Sequence, residues 1–197
     1  ETSGLLLFYR HAIDLGNRKQ QSSSMSLVSV RQLDVPWAGA VAPDWARQGA
    51  TFAYSGEYTP IISGVGPTPL EYAVQFRVRM AQERWWLCDV SQQTTGTPGN
   101  QSQRLSGASQ LADALWIPPA GLQGLRRGQI LDRDPTTGIE IAVADVGREA
   151  VALRETGALH QAELVYDLRT GILVRSEFES YTPLVTTRIS LGISEWP

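Results

Sequence analysis

The chain has 197 residues and a mass of 21.6 kDa, with 42% hydrophobic and 19% charged residues and a net charge of -3. That length suits one large domain or two intimately joined halves, and the composition excludes the disordered and fibrous classes. The first 99 residues are neutral and the charge deficit lies in the remainder, so no basic face for nucleic acid is implied.

A chain of this size buries roughly 70% of the surface its unfolded form exposes and needs neither metal nor disulfide to fold. Cys88 is the single cysteine, which excludes an intramolecular disulfide and any multi-cysteine metal site. In an apolar strand it reads as a small buried hydrophobe. The longest apolar run, Leu5–Phe8, is far short of the ~20 residues of a membrane-spanning helix and of the roughly 7 to 15 of a signal-peptide core. The sequence opens on Glu1 rather than Met, which suggests a processed or trimmed product.

In chain order, the N-terminal stretch offers candidate strands at Leu5–Leu15, Met25–Val35 and Thr51–Thr59, with a short helical piece at Pro43–Gln48. The clearest strand follows. From Glu71 to Ala81, Tyr72, Val74, Phe76, Val78 and Met80 alternate with Glu71, Gln75, Arg77 and Arg79, giving one apolar and one charged face. After a turn at Gln82–Glu83, Arg84–Gln93 carries Trp86, Cys88 and Val90 on one side and Trp85, Leu87 and Asp89 on the other, so the two runs form a hairpin. Gln92–Ser109 is nearly devoid of large apolar residues and reads as a polar loop. Short helical turns are expected at Ser109–Leu115 and Pro118–Leu125.

The C-terminal half is a series of short runs rich in Ile, Val, Leu and Thr: 128–134, 139–146, 149–156, 158–167, 172–179 and 184–193. Two of the intervening segments, Asp134–Gly138 and Asp167–Gly171, share the pattern Asp-x-x-Thr-Gly. Asp caps the turn through its carboxylate and Gly supplies the φ > 0 position, so the next strand returns antiparallel. Connections of two to five residues cannot join parallel strands, and the second half is expected to be an up-and-down meander. The fold expected is all-β, an antiparallel meander of about nine to eleven strands forming a closed or half-open barrel or curved sheet. It is expected as a single domain over 1–197, with two similar halves, 1–92 and 110–197, joined by a polar loop at 93–109.

The residues that carry chemistry are few. Only His11 and His160 are available as bases, and no Gly-x-Ser-x-Gly elbow accompanies them. The run Asp132, Asp134, Thr136, Gly138, Glu140 has alternate oxygens around a glycine, but its glycine and its last ligand fall out of calcium-loop register, which favours a capped hairpin turn. Ser63–Pro69 is glycine-rich, yet a strand follows it where a phosphate cradle needs a helix, so a rigid surface loop is expected. Glu177 and Glu179, like Glu149 and Glu155, alternate along strands and read as exposed-face charges rather than a glycosidase pair. No catalytic residue, metal ligand or cofactor is assigned.

Six Trp residues are the strongest functional hint. Trp85 and Trp86 are adjacent in one strand and must point to opposite sides of it. The outline is similar to that of lipid-carrying curved sheets and lipocalin-like barrels of bacterial envelopes, as an analogy of fold alone. The expected function is that of a non-enzymatic binding protein holding a lipophilic small molecule, with Trp85, Trp86, Tyr72, Phe76 and Met80 as ligand-binding residues. Export to the periplasm or cell surface goes with that expectation, as do a small apolar ligand or a protein partner, no nucleic acid and no membrane span. The alternative is a structural or protein-protein interaction module of a cell-envelope or surface assembly, and a minor alternative is a carbohydrate-active enzyme.

Overall fold

A computed structural model of the chain describes residues 8–14, 20–26 and 33–197. They fall into two compact units, 1–33 and 34–197. In the first, β1 (Phe8–Asp14) and β2 (Gln20–Ser26) pair antiparallel, from Phe8 opposite Ser26 to Asp14 opposite Gln20. The first strand matches the expected run in its described part, whereas the second lies earlier than the expected Met25–Val35. Gln20–Ser24 has no apolar alternation to mark it. The expected residues 27–32 lie outside the described ones.

The second unit is a single antiparallel sheet. Its strands are β3 (Thr51–Ile62), β4 (Gly66–Pro67), β5 (Leu70–Ala81), β6 (Trp85–Thr94), β7 (Thr97–Gly107), β8 (Ile130–Arg133), β9 (Glu140–Val146), β10 (Ala150–Thr156), β11 (His160–Asp167), β12 (Leu173–Tyr181) and β13 (Val185–Glu195). They lie in the order β7-β6-β5-β3-β13-β12-β11-β10-β9-β8, with β4 folded back on β3. The chain therefore starts in the middle of the sheet and works outward to β7. It then crosses through residues 108–129 to the far edge at β8 and meanders back until β13 meets β3.

That path makes the second half the up-and-down meander its short turns require. In both Asp-x-x-Thr-Gly turns the Asp carboxylate accepts from the backbone: the N–H of Thr136 lies 2.8 Å from Asp134 Oδ1, and that of Thr170 lies 2.7 Å from Asp167 Oδ1. Gly138 and Gly171 take φ values of 72° and 75°. The one helix among the described residues is α1, a single turn at Pro119–Gln123 within the expected 118–125, while Pro43–Gln48 and Ser109–Leu115 form turns. No helix among the described residues is long and apolar enough to cross a membrane.

One expectation is corrected, and one that the sequence left open is decided. The polar loop expected at 93–109 is instead the end of β6, a tight turn at Thr95–Gly96, and all of β7. An edge strand whose inward positions are Ser102, Arg104 and Ser106 carries no apolar stripe, so composition alone hides it. Of the closed and open forms expected, the open curved sheet is the one observed, with β7 and β8 as separate edges among the described residues. The crossing segment occupies the inner face. Ile117 donates to Gly171 O at 2.9 Å and Leu173 donates to Leu115 O at 3.0 Å, while Ala114, Leu115, Trp116, Ile117 and Leu122 are buried. Apolar surface that closure would have covered is thus covered by chain.

At one end of this inner face the core is an aromatic plug of Trp45, Phe52, Phe76, Trp86 and Trp116. Phe52 stacks on Phe76 at 4.8 Å, and Trp45 meets Phe52 and Trp86 edge-on at 5.4 and 5.6 Å. Trp86 in turn meets Trp116 at 6.5 Å. Toward the other ends of the same strands, burial falls off, and Tyr58, Tyr72, Phe178 and Ile189 are half-buried.

Two glycines are demanded by close approach. A Cβ on Gly56 of β3 would stand 1.9 Å from Ser190 O of β13, and one on Gly171 would stand 2.0 Å from Ile117 O. Gly56→Ala and Gly171→Ala are each expected to lower the urea-unfolding free energy by at least about 1–3 kcal/mol. Gly192→Ala, where a Cβ meets nothing within 4 Å, should leave it nearly unchanged.

Candidate functional site

Strand alternation aims one set of side chains from each half of the sheet toward the other, and the curvature makes the two sets face each other across a cavity of about 290 Å³. One wall comes from β3, β5, β6 and β7, through Tyr54, Tyr72, Val74, Phe76, Val90, Gln92, Ser102 and Arg104. The opposite wall comes from β11, β12 and β13, through Ala162, Leu164, Leu173, Ser176, Phe178, Ile189 and Leu191. Asp113 and Leu115 of the crossing segment complete the lining. The volume sits at the lower edge of the roughly 300–1,000 Å³ of small-molecule pockets, and most of the lining is aliphatic or aromatic.

Buried tyrosines fix the cavity's geometry by tying elements together through their hydroxyls. Tyr54 Oη donates to Leu173 O and Tyr166 Oη to Ala114 O, both at 2.8 Å. The first bond joins β3 to β12, and the second joins β11 to the crossing segment. Burial raises the pKa of both phenols well above the ordinary value of 10.0, so each stays a donor. Trp37 and Trp116 likewise hold the loops, through Nε1 donated to Gln110 O at 3.2 Å and to Thr170 O at 2.8 Å. The Trp45 and Trp86 indole N–H groups and the Ser106 hydroxyl, all in or beside the plug, are buried without a hydrogen-bond partner among the described residues.

The polar features of the cavity gather at Arg104 and Asp113. A guanidinium N–H of Arg104 donates to the backbone oxygen of Asp113. Asp113 is the one non-glycine residue with positive φ among the described residues, at 52°. That left-handed conformation is one Asp tolerates better than most residues.

The sequence-predicted residues divide between two faces. Tyr72 and Phe76 line the cavity. Trp86, fully buried at 0% exposure, belongs to the plug and not to the cavity wall. Trp85 lies on the outer face with 36% of its surface exposed. Met80, 42% exposed, is also turned outward, because the β5–β6 register shifts between Val78 and Met80 and pairs Met80 with outward-facing Leu87. Sequence reasoning missed Arg104 and Asp113, which lie in or just after a stretch without apolar periodicity. It also left out Ala162, Leu164, Ile189 and Leu191, whose alternation in the C-terminal strands was a usable signal.

The remaining candidates are structural in this arrangement. His160 Nε2 lies 2.8 Å from Glu155 Oε1, and its ring stacks on Phe178 at 5.9 Å, bracing the cavity wall. His11 lies on β1 of the separate unit. Burial pushes the Cys88 thiol up to about 11, which keeps it a neutral thiol near pH 7. Glu140 pairs with Arg133. Glu177 and Glu179 belong to an ionic lattice on the outer face: Arg188 Nε donates to Glu179 at 2.8 Å, and Arg175 lies 3.4 Å from Glu163 and 3.8 Å from Glu177. The Arg188 hydrogen bond holds the Glu179 carboxyl below the usual Glu range.

At the less buried end of the inner face, three neighbouring turns each present an exposed aliphatic side chain: Val65, Leu159 and Leu184. The turns are linked by backbone hydrogen bonds, Ser63 N–H to Leu184 O at 3.3 Å and Tyr181 N–H to Leu159 O at 2.8 Å. Val65 is the tip of the glycine-rich Ser63–Pro69 segment, where β4 pairs back on Ile61 and Ile62.

Neither a protein-family model nor a curated protein matches the chain.

The division between Trp85 and Trp86 is testable by truncation. Trp86→Ala should cost about 3–5 kcal/mol in urea unfolding because it opens a cavity in the plug. Trp85→Ala should cost less than about 1 kcal/mol, as expected of a partly exposed surface residue.

Proposed function

We propose that the chain is a non-enzymatic binding protein whose curved sheet holds a lipophilic small molecule. The observation that carries this reading is the cavity of about 290 Å³ lined from both halves of the sheet. Twelve of its seventeen lining residues are aliphatic or aromatic, with a few polar groups beside them, the make-up of a small-molecule pocket. Half-buried Phe178, Ile189, Leu191 and Ala162 present hydrocarbon that a bound molecule would take out of water. The exposed tips of Val65, Leu159 and Leu184 supply an apolar approach to that end of the inner face.

One observation favours a second reading, an interaction module of a surface assembly. Met80, Trp85 and Leu105 are exposed on β5, β6 and edge strand β7, and Met80 and Leu105 are both cross-strand partners of Leu87. A patch beside an unpaired edge suits a protein partner. The carbohydrate-enzyme reading draws less support, because Glu179 is held ionised by Arg188, whereas a general acid needs a raised pKa.

The experiment is a fluorescence titration with N-phenyl-1-naphthylamine, an uncharged apolar probe. Saturable binding is expected, and Ala162→Trp, which fills the cavity from its wall, should abolish it while the far-UV circular dichroism stays native. No binding, or binding that Ala162→Trp leaves intact, would count against the cavity. Loss of binding in a Trp85→Ala, Leu105→Ser variant with Ala162 unchanged would favour the outer patch.

A further inference from the structure

Resting on the reading of the cavity as a ligand site, we infer that its ligand is an amphiphile with an acidic head, a carboxylate or phosphate, paired with the guanidinium of Arg104 while the hydrocarbon lies between the two walls. Arg104 is the one cationic side chain in the lining. Among the described residues no carboxylate stands within ion-pair distance of it. Its hydrogen-bond partner is a backbone carbonyl, that of Asp113. A guanidinium offers five N–H donors in a rigid fork, so one bond to a carbonyl leaves most of the fork unused. The same bond fixes the group in place, which spares a ligand the entropy of ordering a long side chain.

Position and surroundings reinforce the assignment. Arg104 is the cross-strand partner of Cys88, on the inner face and close to the plug. It is half-buried, and its charge acts on Tyr54 and Tyr166, which sit on opposite halves of the sheet. Arg104 shares the lining with Val90, Leu115 and Leu173, and no carboxylate among the described residues neutralises it, so an incoming anion would supply its counter-ion. Gln92, Ser102 and Ser176 supply further neutral polar atoms in the lining for the head group. Asp113 is the one acidic residue there, and it is exposed; its link to Arg104 is through the main chain.

The test compares three probes of equal chain length, decanoate, decanol and decylammonium, by isothermal titration calorimetry on the whole chain. Decanoate should bind about ten- to a hundredfold more tightly than decanol, the range of a charge-assisted hydrogen bond, and decylammonium should bind most weakly. Arg104→Gln should bring decanoate down to the level of decanol and leave decanol unchanged. Arg104→Lys, which keeps the charge, should retain a preference for decanoate, and it carries the test should the Gln variant fail to fold. Equal binding of decanoate and decanol, tighter binding of decylammonium, or a uniform loss of all three in Arg104→Gln would overturn the acidic-head assignment while leaving the cavity as a ligand site. Binding of none of the three would remove the ligand site itself.

Discussion

The ladder between β3 and β13 is the interaction on which the rest of the second unit depends. It joins the first and last strands of that unit, from Val185 opposite Ile62 to Glu195 opposite Ala53, and it turns two separate meanders into one sheet. At its middle the two backbones come so close beside Gly56 that even a methyl group has no room under Ser190 O. Pairing of this range forms only after most of the chain has been made, and the entropy of closing so long a loop makes it a late and slow step in folding.

Once β3 and β13 are joined, the two outer edges must be connected by one crossing of the inner face, and residues 108–129 make it. Their apolar side chains bury against Tyr166, Leu173 and Trp37, and Gly121 lets the Trp37 ring approach to 2.8 Å of where its Cβ would stand. The crossing fills the end of the inner face nearest the plug and stops short of the other. The cavity is therefore what remains between a sheet curved enough to be filled and a segment too short to fill it. Arg104 and Asp113 meet where the crossing leaves β7, so the cation in the wall is placed by the same geometry. The outer face, by contrast, is tied by ion pairs among Arg154, Glu163, Arg175, Glu179 and Arg188, exposed contacts that favour solubility more than stability.

Much of this architecture is legible in the sequence, and the limits have identifiable causes. Period-two alternation locates β5, β6 and the strands from β8 to β13, and the two Asp-x-x-Thr-Gly turns form the bonds their chemistry demands. Alternation also shows that Trp85 and Trp86 part company, but which one faces inward depends on a sheet not yet assembled. It fails where a strand is polar, as at β2 and β7, since neither carries an apolar stripe. It fails again at Met80, where one shift of register sends an apolar residue outward. Closure lies beyond any local pattern, because whether β7 reaches β8 is decided by where the crossing segment packs. The site was half visible for the same reason: Tyr72 and Phe76 lie in a well-patterned strand, whereas Arg104 lies in one with no pattern at all.

Everything proposed for the cavity requires that the inner face hold a small molecule. Native mass spectrometry of the purified chain, followed by denaturing solvent extraction, measures this without a guess at the ligand. The expected result is a population heavier than the bare chain by a few hundred daltons, with the excess mass recovered in the extract. A bare mass throughout, unchanged after incubation of the chain with a total lipid extract, would contradict it.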